Sequence, residues 1–197
     1  MRKGEQTRMA ILDAALELAS RDGLEGLTIG LLAERMQMSK SGVFAHFGSR
    51  EDLQIEVVRE YHRRFRQDVF IPSLACPRGL PRLRQMVFGW MEKRIQHEVS
   101  TGCILISGAI EYDDRAASPV REHLVASVTA WRASLARAIE QAKEEGHLRA
   151  DTQPQMMLFE VYSLTLGVHH DARLLRDPQA VTLGRAALEK LIVSYQT

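Results

Sequence analysis

Apolar residues recur at intervals of three and four through nearly the whole chain, and strict apolar–polar alternation, the mark of a half-buried strand, is nowhere sustained. That period restricts the fold to packed helices. Ile11, Leu12, Ala15, Leu16, Leu18 and Ala19 set a first helix, which Gly23 ends in left-handed backbone. Thr28 opens a second through Met36, with Ile29, Leu32 and Ala33 inward, and Ser39 caps a short third that runs to about Phe47. Ser49-Arg50-Glu51-Asp52 is a capping-box pattern before a fourth helix with Leu53, Val57, Tyr61 and Phe65. This helix fades toward Ile71-Pro72, and the stretch from Pro72 to Pro81 reads as a loop. A fifth helix runs from Pro81 to about Glu98, a short apolar sixth from Cys103 to Tyr112, and Ser118-Pro119 starts a long seventh that Gly146 ends. Two more, about Pro154 to Leu175 and Pro178 to Tyr195, complete an all-α chain of about nine helices.

With 197 residues, 45% hydrophobic and 26% charged, the chain has ordinary globular composition and length enough for a sizeable core. No apolar run approaches the roughly 20 residues of a membrane helix, and no apolar stretch follows the charged start MRKGEQTRMA. The expectation is a cytoplasmic protein with neither membrane span nor secretory signal. Net charge is +1, and the first 50 residues hold seven Lys/Arg against six Asp/Glu, so any case for nucleic acid rests on placement rather than bulk charge. Cys76 and Cys103 form neither a disulfide framework nor a metal finger. His169 and His170 are adjacent, hence about 100° apart on a helix, and cannot share an ion from one face. No metal or cofactor is expected. A small helical enzyme and a helical protein-interaction module without DNA binding are the competing classes, and for the enzyme the chain offers no Gly-rich phosphate loop, nucleophile elbow or helical metal dyad.

The third helix narrows the function. Two short helices joined by a tight turn, the second made of small residues, is the arrangement that places a recognition helix in the major groove. Ser39, Lys40, Ser41, Gly42 and Ala45 are too small or too polar to build a core, whereas Val43 and Phe47, four apart, anchor the helix from behind. Small residues let the backbone approach base edges, and Lys40 reaches a guanine or a phosphate. His46, Arg50 and Thr28 are placed to contact phosphate, helped by the free amides of the helix starts. The competing readings are a plain three-helix bundle with a solvated face, a capping role for His46, and a helix-start ion pair for Arg50 beside Glu51 and Asp52.

Leu27-Thr28-Ile29 through Ala33-Glu34, then Ser39-Lys40-Ser41-Gly42-Val43-Phe44-Ala45-His46-Phe47-Gly48-Ser49-Arg50-Glu51-Asp52-Leu53, resembles the DNA-binding domain of the TetR family of transcriptional regulators. The resemblance covers roughly residues 5 to 55. It implies a helix-turn-helix domain over residues 1–50 and an effector-binding and dimerisation domain over 51–197. Its DNA-contacting set would be Thr28, Ser39, Lys40, Ser41, Gly42, Phe44, Ala45, His46 and Arg50. It further implies a homodimer, a double-stranded operator and a small-molecule effector, usually one that releases a repressor. Three residues depart from the family pattern. Phe44 stands where tyrosine is common. Gln37 occupies a turn position that is often glycine, implying a left-handed Gln or a differently shaped turn. Gly30 lies inside the second helix at a cost of about 1 kcal/mol relative to alanine.

In the C-terminal part, Met156 to Val168 reads MMLFEVYSLTLGV, apolar in nearly every direction, so such a helix must be covered on all sides. Met156, Leu164 and Val168 with Val181, Gly184, Leu188 and Leu191 are the expected dimer interface, a monomer core burying both stripes being the alternative. A ligand cavity is expected among Trp90, Met91, Cys103, Ile106, Tyr112, Trp131, Phe159, Tyr162 and His169, where methionine and aromatics give an adaptable apolar lining. Cys103 reads as a buried inert thiol or a redox sensor.

Overall fold

The computed structural model describes residues 3–196. Nine helical segments, and no strand, are found among the described residues: α1 (Lys3–Asp22), α2 (Ile29–Met36), α3 (Lys40–Phe47), α4 (Arg50–Phe65), α5 (Leu80–Gly89), α6 (Ile104–Tyr112), α7 (Pro119–Glu144), α8 (Pro154–Arg173) and α9 (Ala180–Ser194). The all-α expectation holds. Two segments run on through wider π turns. Helix α4 continues through Arg66–Phe70 into Ile71–Ser73, and α5 through Trp90–Ile95 into Gln96–Thr101. Each π turn inserts residues into the 3.6-residue repeat and so rotates the buried face of the turns beyond it. Periodicity alone does not foresee that shift.

The chain forms two compact units, Met1–Arg64 with Thr101–Val128, and Phe65–Ser100 with Thr129–Thr197. The core of the first is built by Ile11, Ala15, Leu24, Leu27 and Leu32 with Val43 and Phe47 of α3, Leu53, Val57, Val58 and Tyr61 of α4, and Ile104 and Tyr112 of α6. This compact division differs from a split at residue 50. Helix α4 inserts its first three turns into the same core as α1–α3, and α6 returns to that core from far along the chain.

The second unit is built around Leu83, Met86, Val87, Trp90 and Met91 of the α5 segment, Trp131, Leu135 and Ile139 of α7, Met157, Leu158 and Val161 of α8, and Leu188 and Ile192 of α9. Phe65, Trp90 and Trp131 meet edge to face at 4.8–6.0 Å between ring centroids, the arrangement aromatic quadrupoles favour. Helices α8 and α9 approach closely at Gly184, where a Cβ would lie 2.0 Å from Val168 Cγ2. Glycine is therefore required there for packing within one chain. On α8, Met157, Leu158, Val161, Thr165, Val168 and His169 face inward, while Met156 and Phe159 point outward and are left uncovered.

Candidate DNA-binding surface

Local hydrogen bonds shape the turn that presents α3. Thr28 caps α2 by accepting the Leu31 amide at 3.1 Å. At the other end Met38 N–H donates to Ala33 O (2.9 Å) and Gln37 N–H to Glu34 O (3.1 Å), the Schellman pattern that satisfies the last carbonyls. Gln37 takes the left-handed conformation this pattern needs, φ 54°, ψ 40°. The departure from glycine thus leaves the family-type turn in place, with side-chain crowding as its cost. Ser39 then caps α3, its Oγ accepting the Gly42 amide at 3.1 Å and lying 3.1 Å from Ser41 Oγ.

Only Val43 and Phe47 of α3 are buried. The Arg8 guanidinium lies over the Phe47 ring at 5.0 Å and bonds Glu56, which fixes the helix from behind. Lys40, Ser41, Phe44 and Ala45 are exposed, at positions i, i+1, i+4 and i+5 of one face. Gly42 and His46 are half-buried at its margin, and Thr28 and Ser39 are exposed at the helix starts. Eight of the nine residues expected to contact DNA are thereby gathered around one open helix. Phe44, 53% exposed, puts an apolar ring where a phenol would have offered a hydroxyl. Gly42 has little room to grow, since a Cβ there would crowd Ser39 Oγ at 3.1 Å.

Arg50, the ninth, also bonds within the protein. Its Nε donates to Leu27 O at 2.9 Å, and its Nη2 donates to Glu25 O at 2.5 Å and to Glu25 Oε2 at 3.2 Å. These donors brace the α1–α2 turn. The neighbouring cap forms as Ser49 Oγ accepts the Asp52 amide at 2.9 Å and donates to its carboxylate at 2.6 Å.

The residues expected to line a ligand cavity fall in different units. Trp90, Met91, Trp131 and His169 are buried in the second, with Tyr162 half-buried against the same core. Trp90 and Tyr162 rings lie 5.7 Å apart, and the Arg132 guanidinium sits 4.6 Å over Tyr162. Trp131 Nε1 and His169 Nε2 are buried without a hydrogen-bond partner among the described residues. Burial, then Arg173 and His170, push the His169 imidazole down to about 4. In the first unit, Cys103 Sγ lies 3.1 Å from the Tyr61 hydroxyl, the Tyr112 hydroxyl donates to Glu25 at 2.5 Å, and Ile106 packs at the edge of the core. Phe159 lines no interior at all, being 61% exposed.

The expected interface set is likewise re-sorted. Val168, Gly184 and Leu188 are buried within the chain, because they form the α8–α9 contact itself. Leu164, Val181 and Leu191 are half-buried beside them, and Met156 is exposed. The outward face is a groove of about 600 Å³ along α8 and α9, lined by Phe159, Ser163, Leu164, Gly167, Leu183, Ala187 and Leu191 among others. Phe159, expected in the ligand cavity, and Leu183, next to Gly184 of the expected stripe, are the most exposed apolar residues of this groove.

A capped, outward-facing third helix on a three-helix head, followed in the chain by a helical body, defines a class: transcriptional regulators that bind DNA through a helix-turn-helix and respond to ligand. Residues 11–57 match the family of bacterial regulatory proteins, tetR family, and residues 79–188 match the tetracyclin repressor-like C-terminal domain. The chain belongs to the TetR family of transcriptional regulators. Solved structures agree in fold. A TetR-family regulator from Cytophaga hutchinsonii superposes with TM-score 0.84 at 19% identity, covering 100% of this chain and 98% of its own. One from Chloroflexus aurantiacus J-10-FL gives 0.85 at 21% with the same coverage. A Saccharomonospora viridis protein in complex with choline gives 0.75 at 17%, covering 95% of this chain and 96% of its own. A search of curated proteins by sequence returns no match. No helix among the described residues is long and apolar enough to cross a membrane.

Proposed function

We propose that this chain acts in the cytoplasm as a homodimeric repressor which a small-molecule effector releases from its operator. The observation that carries the reading is the outward face of α3, where Lys40, Ser41 and Ala45 stand exposed on a helix anchored only by Val43 and Phe47. Thr28, Ser39 and His46 flank that face and would hold phosphates, with Lys40 reaching a base edge or a phosphate. Uncovered apolar surface on Met156, Phe159 and Leu183 supports pairing through α8 and α9 with a second copy, which sets two recognition helices against two half-sites.

The effector site is assigned to the second unit, among Trp90, Met91, Trp131, Tyr162 and His169. A buried indole N–H and an imidazole nitrogen, neither with a hydrogen-bond partner and the latter 3.9 Å from the buried Glu98 carboxylate, are polar anchors beside the apolar and aromatic side chains. That the Saccharomonospora viridis relative holds choline supports a small-molecule site in this fold. Helix α4 offers the route from effector to operator, since it gives Leu53, Val57 and Tyr61 to the first core while the same helical run gives Phe65 and Val69 to the second. Cys103, Ile106 and Tyr112 belong to the first core, and Phe159 to the pairing face.

The test is an anisotropy titration of a duplex from the region upstream of the chain's own gene, with and without a compound that raises the protein's melting temperature in a metabolite screen. Antagonism must be reciprocal, so the duplex must weaken compound binding by the same factor. Equal operator affinity with and without every stabilising compound would contradict the effector assignment.

A further inference from the structure

The turn between α1 and α2 is clasped from both sides within the first unit. From α6, one Glu111 carboxylate oxygen accepts two successive backbone amides, Leu24 N–H at 2.9 Å and Glu25 N–H at 3.3 Å. Gly23 makes room for it. Its φ is +82°, and a Cβ at that position would lie 1.8 Å from Glu111 Oε1. In the other direction the turn offers the Glu25 carboxylate, which accepts the Tyr112 hydroxyl at 2.5 Å, Arg115 Nη1 at 2.8 Å and Arg50 Nη2 at 3.2 Å. These donors, the Tyr112 hydroxyl foremost, hold the Glu25 carboxyl below the usual carboxylate range. From α4, Gln54 Nε2 donates to Leu24 O at 2.6 Å.

Carboxylates that accept backbone or charged donors make the stronger class of hydrogen bond. The turn they grip is short, for Leu24 lies only four residues before Thr28, the cap of α2. We propose that Glu111 is a positioning residue for DNA reading: its carboxylate, seated on the Leu24 and Glu25 amides opposite the Glu25–Tyr112–Arg115 bonds, sets the pitch of α2 and α3. It touches no DNA, and the role rests on α3 being the reading helix. The two carboxylates act reciprocally, one donated by α6 to the turn and one by the turn to α6.

The test uses the full-length protein with Glu111→Ala, Glu111→Gln and Tyr112→Phe. The last keeps the buried ring and removes only the hydroxyl. Amide exchange at Leu24 and Glu25 is measured by NMR. Affinity is measured for a duplex selected from a random library by the unaltered protein and for an unrelated duplex. Glu111→Ala is expected to speed exchange of both amides and to weaken the selected duplex, each roughly tenfold or more, while the unrelated duplex is unaffected. Glu111→Gln, which keeps an acceptor oxygen, restores part of both, and Tyr112→Phe gives a smaller loss in the same direction. Unchanged amide exchange sinks the clasp. Faster exchange with full affinity for the selected duplex sinks the positioning role, as does an equal loss on both duplexes. Selection of no duplex at all contradicts the DNA reading itself and removes the positioning role with it.

Discussion

Two exposed helical faces of this chain carry opposite chemistry. On α3 the outward side chains are small or polar, and Phe44 is the single large apolar group. On α8 and α9 the outward side chains are Met156, Phe159 and Leu183, each more than half exposed. Both faces are helical and both are open, so exposure alone does not distinguish their partners. Composition does. A thin face with free amides and a lysine suits a polyanion in a groove, whereas a broad apolar face suits another apolar surface.

The largest expected effect breaks the apolar face. Phe159→Glu places a charge in the α8–α9 groove. It should turn a dimer into a monomer in sedimentation velocity and lower operator affinity by roughly a hundredfold or more, as the second recognition helix is lost. A dimer that persists with full affinity would move the pairing surface elsewhere.

Acid should strike the second unit. The folded state holds His169 neutral down to about 4 against an ordinary value of 6.5, so between these limits the unfolded chain binds more protons. Stability is therefore complete above 6.5 and falls as pH drops toward 4, by about 1.4 kcal/mol per unit at most. Trp90 and Trp131, the chain's two tryptophans, both lie in this unit, so urea midpoints followed by tryptophan fluorescence report on it directly. His169→Gln should flatten the trend in that window, and an unchanged slope would contradict it.

Lys40 and Arg50 sharpen the contrast on the reading side. Lys40→Ala should lower the slope of log affinity against log salt by about one phosphate's worth. Arg50→Ala should leave that slope alone and lower the stability of the first unit by about 1–2 kcal/mol, because its donors hold Leu27 and Glu25. A matching drop in slope for Arg50→Ala would make it a phosphate contact as well. The smallest effect is Gly30→Ala. A Cβ there would meet Lys40 Cε at 3.4 Å, an ordinary contact, so the substitution should stabilise α2 by about 1 kcal/mol, read as a rise in melting temperature.

The helix-turn-helix is legible in the sequence because its determinants are local. Thr28 to Leu31, Ser39 to Gly42 and Ser49 to Asp52 are all bonds three residues apart, and the left-handed residue at 37 belongs to the turn they frame. The features that are not legible depend on distance. Arg50 finds its acceptors 23 and 25 residues away, and Glu111 finds its amides 86 and 87 residues away. The outward faces of α8 and α9 escape periodicity for a related reason. Gly184 and Leu188 are spaced like an interface stripe, yet Val168 claims that stripe within the same chain and turns Phe159 and Leu183 outward.

The central claim is that α3 lies in a major groove twice, once for each copy of the chain. Hydroxyl-radical footprinting of a selected duplex tests it most directly. Two protected half-sites related by two-fold symmetry, with centres one or more helical turns (about 34–36 Å each) apart, are the predicted result. A single unpaired patch of protection would contradict it.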